Sequence, residues 1–301
     1  SLKFACTTAD TSIAANEYMA LAQMFEGQNL QHFKVGTAEA LPITASFYVK
    51  GNANATYSCE LQHHASGETS RNYSKAFNVT TDWTRVELTF EGDATTPLDN
   101  NNSDQFMLEI WLHGGTNFSS GTAYTTWANR DYTKSFQDGQ TSFYDSTNRT
   151  FFITGVQLEV GSAATEFEHE PFGRTLEKCE RYYQKSNIHS EKPGGAQSNG
   201  SGTYLGAVIG MSNYNTQYSQ LFYDYPQFRT KMRAAPTAVA YNLYSGTAAR
   251  IGHYNSGDDH AVSYAHQSEN GFRIYSNSLN SYGNNNGGDY YQFHYTADAE
   301  L

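Results

Sequence analysis

The chain has 301 residues with a formal net charge of −11 at pH 7, and its 15% of aromatic residues excludes the aromatic-poor composition of a disordered chain. Residues 1–173 hold 9 basic and 20 acidic side chains and residues 174–301 hold 10 of each, so neither half offers the basic face that nucleic acid requires. The acidic half is repelled by anionic lipid and no stretch approaches 18 apolar residues, so we expect no membrane insertion.

Short runs in the first half alternate apolar and polar side chains with the period of two that β-strands show. Turn-forming stretches rich in Asn and Asp, such as residues 99–104, separate these runs. Six strands at this spacing predict a β-sandwich or jelly roll. The predicted strands are Ile43–Val49, Tyr57–Leu61, Tyr73–Val79, Val86–Phe90, Phe106–Leu112 and Phe151–Val160.

Residues 174–189 interrupt the strand pattern with good helix formers. Leu176, Cys179 and Tyr183 fall on one helical face, which predicts a short linking helix that packs on its neighbours. The composition of residues 192–200, rich in Gly, Ser and Asn, is typical of a flexible loop.

The second half returns to strands and holds 16 of the 23 tyrosines. The predicted strands are Tyr204–Ile209, Gln217–Asp224, Thr237–Tyr244, Gly271–Tyr275 and Tyr290–Thr296. We therefore predict an all-β chain with a jelly-roll β-sandwich at 1–173, the linking helix, and a C-terminal β-sandwich at 190–301.

The three cysteines, Cys6, Cys59 and Cys179, are odd in number and lie far apart in the sequence. This arrangement argues against a disulfide framework and against a zinc site. It suits a protein that folds in a reducing cytosol.

One stretch resembles a signature of bacteriophage tail and appendage proteins. Residues 151–169 have the sequence FFITGVQLEVGSAATEFEH, and residues 179–183 have the sequence CERYY. In that family a module like a carbohydrate-binding jelly roll ends in such a strand, and a short helix follows. From the residues themselves we expect a β-bulge at Gly155 and a turn at Gly161. Residues 2–4, 7–9 and 42–51 also resemble this module, and residues 232–236 and 298–301 resemble the family's C-terminal β-domain. The resemblance is weaker in residues 190–230 and 245–290.

The resemblance implies a structural protein of the virion, assembled in the host cytoplasm and placed in a tail fibre, a tail tip or a similar appendage. It also implies contact with other virion proteins, recognition of a host-surface glycan and a homotrimeric state. Two alternatives stay open: a capsid decoration or purely structural spacer, and a free glycan-binding module of a larger enzyme.

Candidate ligand-binding residues are aromatic, because aromatic rings stack on sugar faces. Trp127 lies in a polar, turn-like context and is the stacking candidate in the first half. In the second half the candidates lie among Asn, Ser and Gly, as in adaptable binding surfaces; they are Tyr214, Tyr218, Tyr254, Tyr264 and Tyr282. These tyrosines equally suit contacts between subunits. We place recognition in the loops of residues 190–301, where the neutral half can approach an anionic cell surface.

The chain shows no catalytic motif and no metal-binding pattern of defined register. The adjacent His63 and His64 suit a surface loop or strand edge, and His253 with His260 suits a solvated turn. The alternating Glu166, Glu168 and Glu170 suit a solvated strand face. We expect no enzyme activity and no cofactor. Only a structural Ca²⁺ stays open, with oxygen ligands from Asp93, Asp99, Asn100, Asn101, Asn102 and Asp104.

Overall fold

In a computed structural model, the chain divides into two compact units, Ser1–His169 and Glu170–Glu300. The structure describes residues 1–65, 67–137, 139–187, 191–195, 208–213, 221–253, 257–276 and 290–300. Both units are built mainly from antiparallel strands, which confirms the predicted all-β class. Within these residues, no helix has the length and hydropathy needed to cross a bilayer.

The strands of the first unit form two antiparallel sheets. The strands are β1 (Leu2–Ala5), β2 (Tyr18–Glu26), β3 (Ile43–Gly51), β4 (Ala55–His63), β5 (Arg71–Val79), β6 (Thr84–Phe90), β7 (Asp104–Gly114), β8 (Ala128–Asn129) and β9 (Thr150–Val160). One sheet has the order β1-β9-β3-β6, and the other has the order β2-β7-β4-β5-β8. A one-turn helix, α1 (Thr116–Ser119), follows β7.

All six strands predicted in this half are present and are longer than predicted. The sequence analysis missed β2, whose Ala, Met and Leu residues favour helices and do not alternate cleanly. This strand forms the edge of its sheet and pairs only with β7 along nine positions among the described residues.

The core of the first unit lies between the two sheets. The rings of Phe47 and Phe77 meet edge to face with centroids 5.1 Å apart, and Tyr57 meets Phe151 at 5.6 Å. Phe47, Tyr57 and Phe151 are almost completely buried. Burial of each such side chain contributes about 1.5–3 kcal/mol of transfer free energy, so these aromatic contacts are a main source of the unit's stability.

A β-bulge interrupts β9 at the expected position. Ser46 pairs with Gln157 and Tyr48 pairs with Thr154, so Phe47 faces two residues of β9 in place of one. Gly155 has φ = +59°, a left-handed conformation that favours glycine. The bulge at Gly155 is therefore confirmed, and Gly161, with φ = +141°, begins the segment that follows the strand.

The second unit begins with α2 (Phe172–Glu180), which is shorter than predicted. Residues 183–185, predicted as part of this helix, form a strand that pairs with the last strand of the chain. The described strands of the second unit are β10 (Tyr183–Lys185), β11 (Val208–Asn213), β12 (Leu221–Asp224), β13 (Thr237–Asn242), β14 (Arg250–His253), β15 (Asp259–Ala261), β16 (Ser263–Ser268), β17 (Gly271–Ser276) and β18 (Tyr290–Asp298).

Strand β18 organises the second unit. It pairs with β10 and β11 along one edge and with β13 and β14 along the other. Strands β12, β17 and β16 continue the ladder from β11. Phe272 of β17 packs on Tyr295 of β18 with ring centroids 5.2 Å apart, and Phe293 and Ile274 are fully buried in the same cluster. The core of this unit therefore lies between β17 and β18.

Replacement of Gly155 by alanine tests the bulge. A side chain at this position must adopt a left-handed conformation and would place its Cβ 3.2 Å from Cδ2 of Tyr48. We expect Gly155→Ala to lower the free energy of unfolding by roughly 1–3 kcal/mol. All three tryptophans lie in the first unit, so urea unfolding followed by tryptophan fluorescence measures the effect.

Gly139→Ala is the matched control. Gly139 also has a positive φ, +79°, but an added Cβ would meet nothing within 4 Å. We expect a smaller loss of stability, from backbone strain alone. Equal effects of the two substitutions would contradict the account of the bulge.

Candidate ligand-binding sites

Trp127 lies in the core of the first unit. Its side chain is only 6% exposed, and its ring lies 4.9 Å from the His63 ring and 6.0 Å from the Tyr73 ring. Its Nε1 donates a hydrogen bond to the Glu91 carbonyl at 2.6 Å. The ring has no open face for a sugar, so the prediction of Trp127 as a stacking residue is wrong. Its polar sequence context reflects the turn around it.

Asp93 joins His63 and Arg71 in a buried ion-pair cluster. Nε2 of His63 lies 2.9 Å from Oδ2 of Asp93, Nε of Arg71 donates to the same oxygen, and the Thr95 amide donates to Oδ1. Burial by itself would raise the pKa of Asp93, but these hydrogen bonds and the charge of His63 outweigh it and lower the pKa. Asp93 is therefore occupied within the protein, which removes it from the expected Ca²⁺ ligands. His63 is completely buried and does not lie in a surface loop or at an exposed strand edge.

The outer face of the five-stranded sheet carries a pair of carboxyl groups. Glu60 of β4 and Glu109 of β7 are directly opposite each other, and both are buried. Nδ2 of Asn72 donates to Oε1 of Glu60 at 2.5 Å, and Oγ of Ser135 donates to the same oxygen at 3.3 Å. Arg130 lies 3.9 Å from Oε2 of Glu109.

Burial keeps a proton on this pair. Burial first, and then the Glu109 charge, raises the pKa of Glu60 to about 8. Burial also raises the pKa of Glu109, although the Arg130 guanidinium opposes that change. The pair therefore holds a proton at neutral pH, which lets two facing carboxyl groups share a buried site.

A segment comprising residues 115–137 and 139–143, here called the cover segment, lies over this face. Oγ of Ser58 donates to the Ser135 carbonyl at 2.8 Å, and the Thr141 amide donates to the Thr56 carbonyl at 3.0 Å. The Phe118 ring packs on the Trp111 ring at 5.6 Å. The cover segment thus closes the sheet face against water, and Glu60 and Glu109 are not exposed to a substrate.

An open cavity of about 580 Å³ lies beside the cover segment. Its lining includes Asp10, Asn16, Glu17, Tyr18, His113 and Tyr144. The Tyr18 side chain is 60% exposed and packs against Phe118 and Trp111 at 4.9 and 5.7 Å. The sequence analysis missed this cavity, because its residues come from segments more than 130 positions apart, and no local motif marks them.

Of the candidate tyrosines, only Tyr264 lies within the described residues. Its hydroxyl accepts a hydrogen bond from the Ala240 amide at 2.8 Å, and its ring lies 6.2 Å from Phe272. Burial raises the pKa of Tyr264. This tyrosine is thus tied to the second core. Tyr214, Tyr218, Tyr254 and Tyr282 lie outside the described residues.

A second cavity, of about 570 Å³, lies on the β10-β18-β13 face of the second unit. Tyr183 pairs with Asp298, which pairs in turn with Thr237, and Thr296 pairs with Val239. The lining comprises Tyr183, Pro193, Thr237, Val239, Tyr241, Thr296, Asp298 and Glu300. Burial, and then the nearby Tyr241 and Asp298, raises the pKa of Tyr183. The face therefore combines two tyrosine rings with hydroxyl and carboxylate groups.

His253 and His260 lie in the interior of the second unit. The rings of His253 and His260 are almost completely buried, and each lies 5.4 Å from the Tyr291 ring. The prediction of a solvated turn is therefore wrong for these two side chains. Among the described residues, no group of three or more His, Cys, Asp or Glu side chains is arranged to hold a metal ion.

Comparisons with known proteins assign no family. The chain matches no protein-family model, and no curated protein matches it in sequence. Among solved structures, PBSX exported protein XepA aligns with 98% of this chain and 86% of its own length, at 9% identity and a TM-score of 0.19. A similarity this low supports no conclusion about fold or function.

The carboxyl pair makes the stability of the first unit depend on pH. Folded Glu60, with its pKa raised from 4.5 to about 8, keeps a proton that the unfolded chain releases above about pH 4.5. The free energy of unfolding should therefore fall as the pH rises from about 4.5 to about 8. Glu60→Gln removes this titration and keeps an acceptor for Asn72, so we expect it to raise stability at pH 8 by at least about 1 kcal/mol.

Urea unfolding followed by tryptophan fluorescence between pH 4.5 and 8.5 measures this difference. Glu68→Gln, at an exposed position, is the matched control and should follow the wild type throughout. The same pH dependence in Glu60→Gln and the wild type would contradict the assignment of a proton to the buried pair.

Proposed function

We propose that this chain is a structural protein of a bacteriophage appendage, such as a tail fibre or tail tip, that contacts a glycan on the host surface. The observation that supports the virion role is the stretch at residues 151–183. Its resemblance to phage appendage proteins coincides with a bulged strand β9, a glycine turn at Gly161 and helix α2. The sequence and the local structure agree on how the first unit ends.

The proposal includes assembly with other virion proteins and a homotrimeric state. Residues 174–301 hold only 20 charged side chains, which is sparse for the surface of a solvated monomer. Threefold assembly would cover part of that surface. The proposal assigns no enzyme activity and no cofactor to the chain.

The second unit supplies the proposed glycan contact, at the cavity on the β10-β18-β13 face. Tyr183 and Tyr241 offer rings on which a sugar can stack, and Thr237, Thr296 and Asp298 offer hydrogen bonds to hydroxyl groups. Lys185 lies on the same face of β10 as Tyr183, and its Nζ donates to the Glu191 carbonyl at 2.5 Å. This mixture of rings, hydroxyls and both charges suits a neutral or weakly charged glycan.

Gly194 brings residues 191–195 against this cavity. An added Cβ at Gly194 would lie 3.1 Å from the Tyr241 ring, and the residue has φ = +72°. Pro193 joins the lining. The segment predicted as a loop at 192–200 thus begins beside the proposed site.

Replacement of the two tyrosine rings tests the glycan contact. We expect Tyr241→Ala and Tyr183→Ala each to weaken binding to an array of bacterial surface polysaccharides roughly tenfold, the loss of about one stacking contact. Asp298→Asn, at an exposed position, should weaken binding without a change in fold. Tyr225→Ala removes an exposed tyrosine outside the cavity and is the matched control.

Two results separate the parts of this proposal. Detection of the chain in purified phage particles by mass spectrometry supports the virion role, and its absence from particles contradicts that role. Unchanged array binding in Tyr183→Ala, Tyr241→Ala and Asp298→Asn would contradict the glycan site even if the chain is a virion component.

A further inference from the structure

The cavity beside the cover segment of the first unit has two fixed carboxylates. The Ser12 amide donates to Oδ1 of Asp10 at 2.9 Å, and the Ala14 amide donates to Oε2 of Glu17 at 2.6 Å. One oxygen of each carboxylate is thus held by the backbone, and the other oxygen can accept from a ligand. The carboxylates are oriented before any ligand arrives.

The loop that carries both carboxylates is anchored to the rest of the unit. The Asp10 amide donates to the Tyr144 carbonyl at 2.9 Å, and the Gly115 amide donates to the Glu17 carbonyl at 2.8 Å. An added Cβ at Gly115 would lie 2.2 Å from the Ala14 carbonyl oxygen, so glycine permits the close approach. The cavity wall is therefore part of the folded unit.

Aromatic rings form the rest of the wall. Tyr18 is supported from behind by Trp111 and Phe118, and Tyr144 meets the His113 ring edge to face at 5.3 Å. His113 is only 2% exposed, and its Nδ1 pairs with Oγ of Ser142 at 2.9 Å, which leaves Nε2 as the ring nitrogen available to the cavity. Rings and carboxylates thus surround one open space.

The charge of this cavity is negative and uncompensated within its lining. Asp10 and Glu17 are its two acidic residues, and its lining residues include no Lys or Arg. Burial lowers the pKa of His113, although the Glu17 and Asp10 carboxylates oppose that change. His113 is therefore neutral at pH 7, and the cavity attracts a positive charge.

We propose that this cavity binds an organic cation, a protonated amine or a quaternary ammonium group carried on a small apolar or sugar scaffold. Tyrosine rings attract such a cation through their π faces, and Asp10 and Glu17 supply the opposite charge. A metal ion fits less well, because no group of three or more His, Cys, Asp or Glu residues in the described part of the chain is arranged to hold one. The site is separate from the proposed glycan contact of the second unit.

Two sources share this chemistry, an amino sugar and a choline-type head group, and calorimetric titration of the full chain distinguishes them. The probes are glucosamine and choline, with glucose and N-acetylglucosamine as neutral analogues. We expect at least one cationic probe to bind, the neutral analogues to bind roughly tenfold more weakly or not at all, and the affinity to fall as salt rises from about 0.02 to 0.5 M.

Variants assign the binding to the cavity. Glu17→Gln keeps an acceptor for the Ala14 amide and removes the charge, so it should weaken binding of the cationic probe roughly tenfold. Tyr18→Phe should bind like the wild type and Tyr18→Ala should not bind. Glu68→Gln, an exposed carboxylate outside the cavity, should have no effect. Thermal unfolding midpoints within a few degrees of the wild type establish that these variants are folded.

Binding of glucosamine alone identifies an amino sugar as the ligand, and binding of choline alone identifies a quaternary ammonium group. Failure of both cations to bind the wild type would overturn the proposal. Equal weakening by Glu17→Gln and Glu68→Gln would also overturn it, because the attraction would then belong to the net charge of the whole unit.

Discussion

Polar side chains on the outer face of the five-stranded sheet are buried, and much of the first unit follows from this constraint. Glu60, Glu109 and Asn72 lie on that face, and buried polar groups need hydrogen-bond partners or a proton. The cover segment supplies Ser135 and Arg130, while the two carboxyl groups retain a proton. The segment between β7 and β9 is thus a structural layer of the sandwich.

The strands of the first unit could be predicted because one face of each packs on a core. Val86 and Phe90 are buried on the inner face of β6, and that alternation is visible in the sequence. Strand β2 was not predicted from the sequence, because it lies at a sheet edge and holds residues that favour helices. Trp127 was misplaced because the cover segment has the composition of a surface loop although it contributes a core tryptophan.

The candidate sites follow from what the fold leaves open. The cover segment closes the broad face of the five-stranded sheet, so ligands can reach the first unit beside Tyr18, where loops meet the ends of β2 and β7. In the described part of the second unit a cavity lies on the β10-β18-β13 face, and β18 aligns Thr296 and Asp298 beside Tyr183. Neither site could be predicted from the sequence, because the pairing of β2 with β7 and of β10 with β18 brings together residues that lie far apart along the chain.

The central claim is that the cover segment is a folded layer over a buried polar face. Amide hydrogen exchange measured by mass spectrometry tests it directly. The Phe136 amide is bonded to the Phe118 carbonyl and the Phe143 amide to the Leu112 carbonyl, so peptides from 132–137 and 139–143 should exchange nearly as slowly as β3. Exchange as fast as that of the exposed residues 165–170 would contradict the claim.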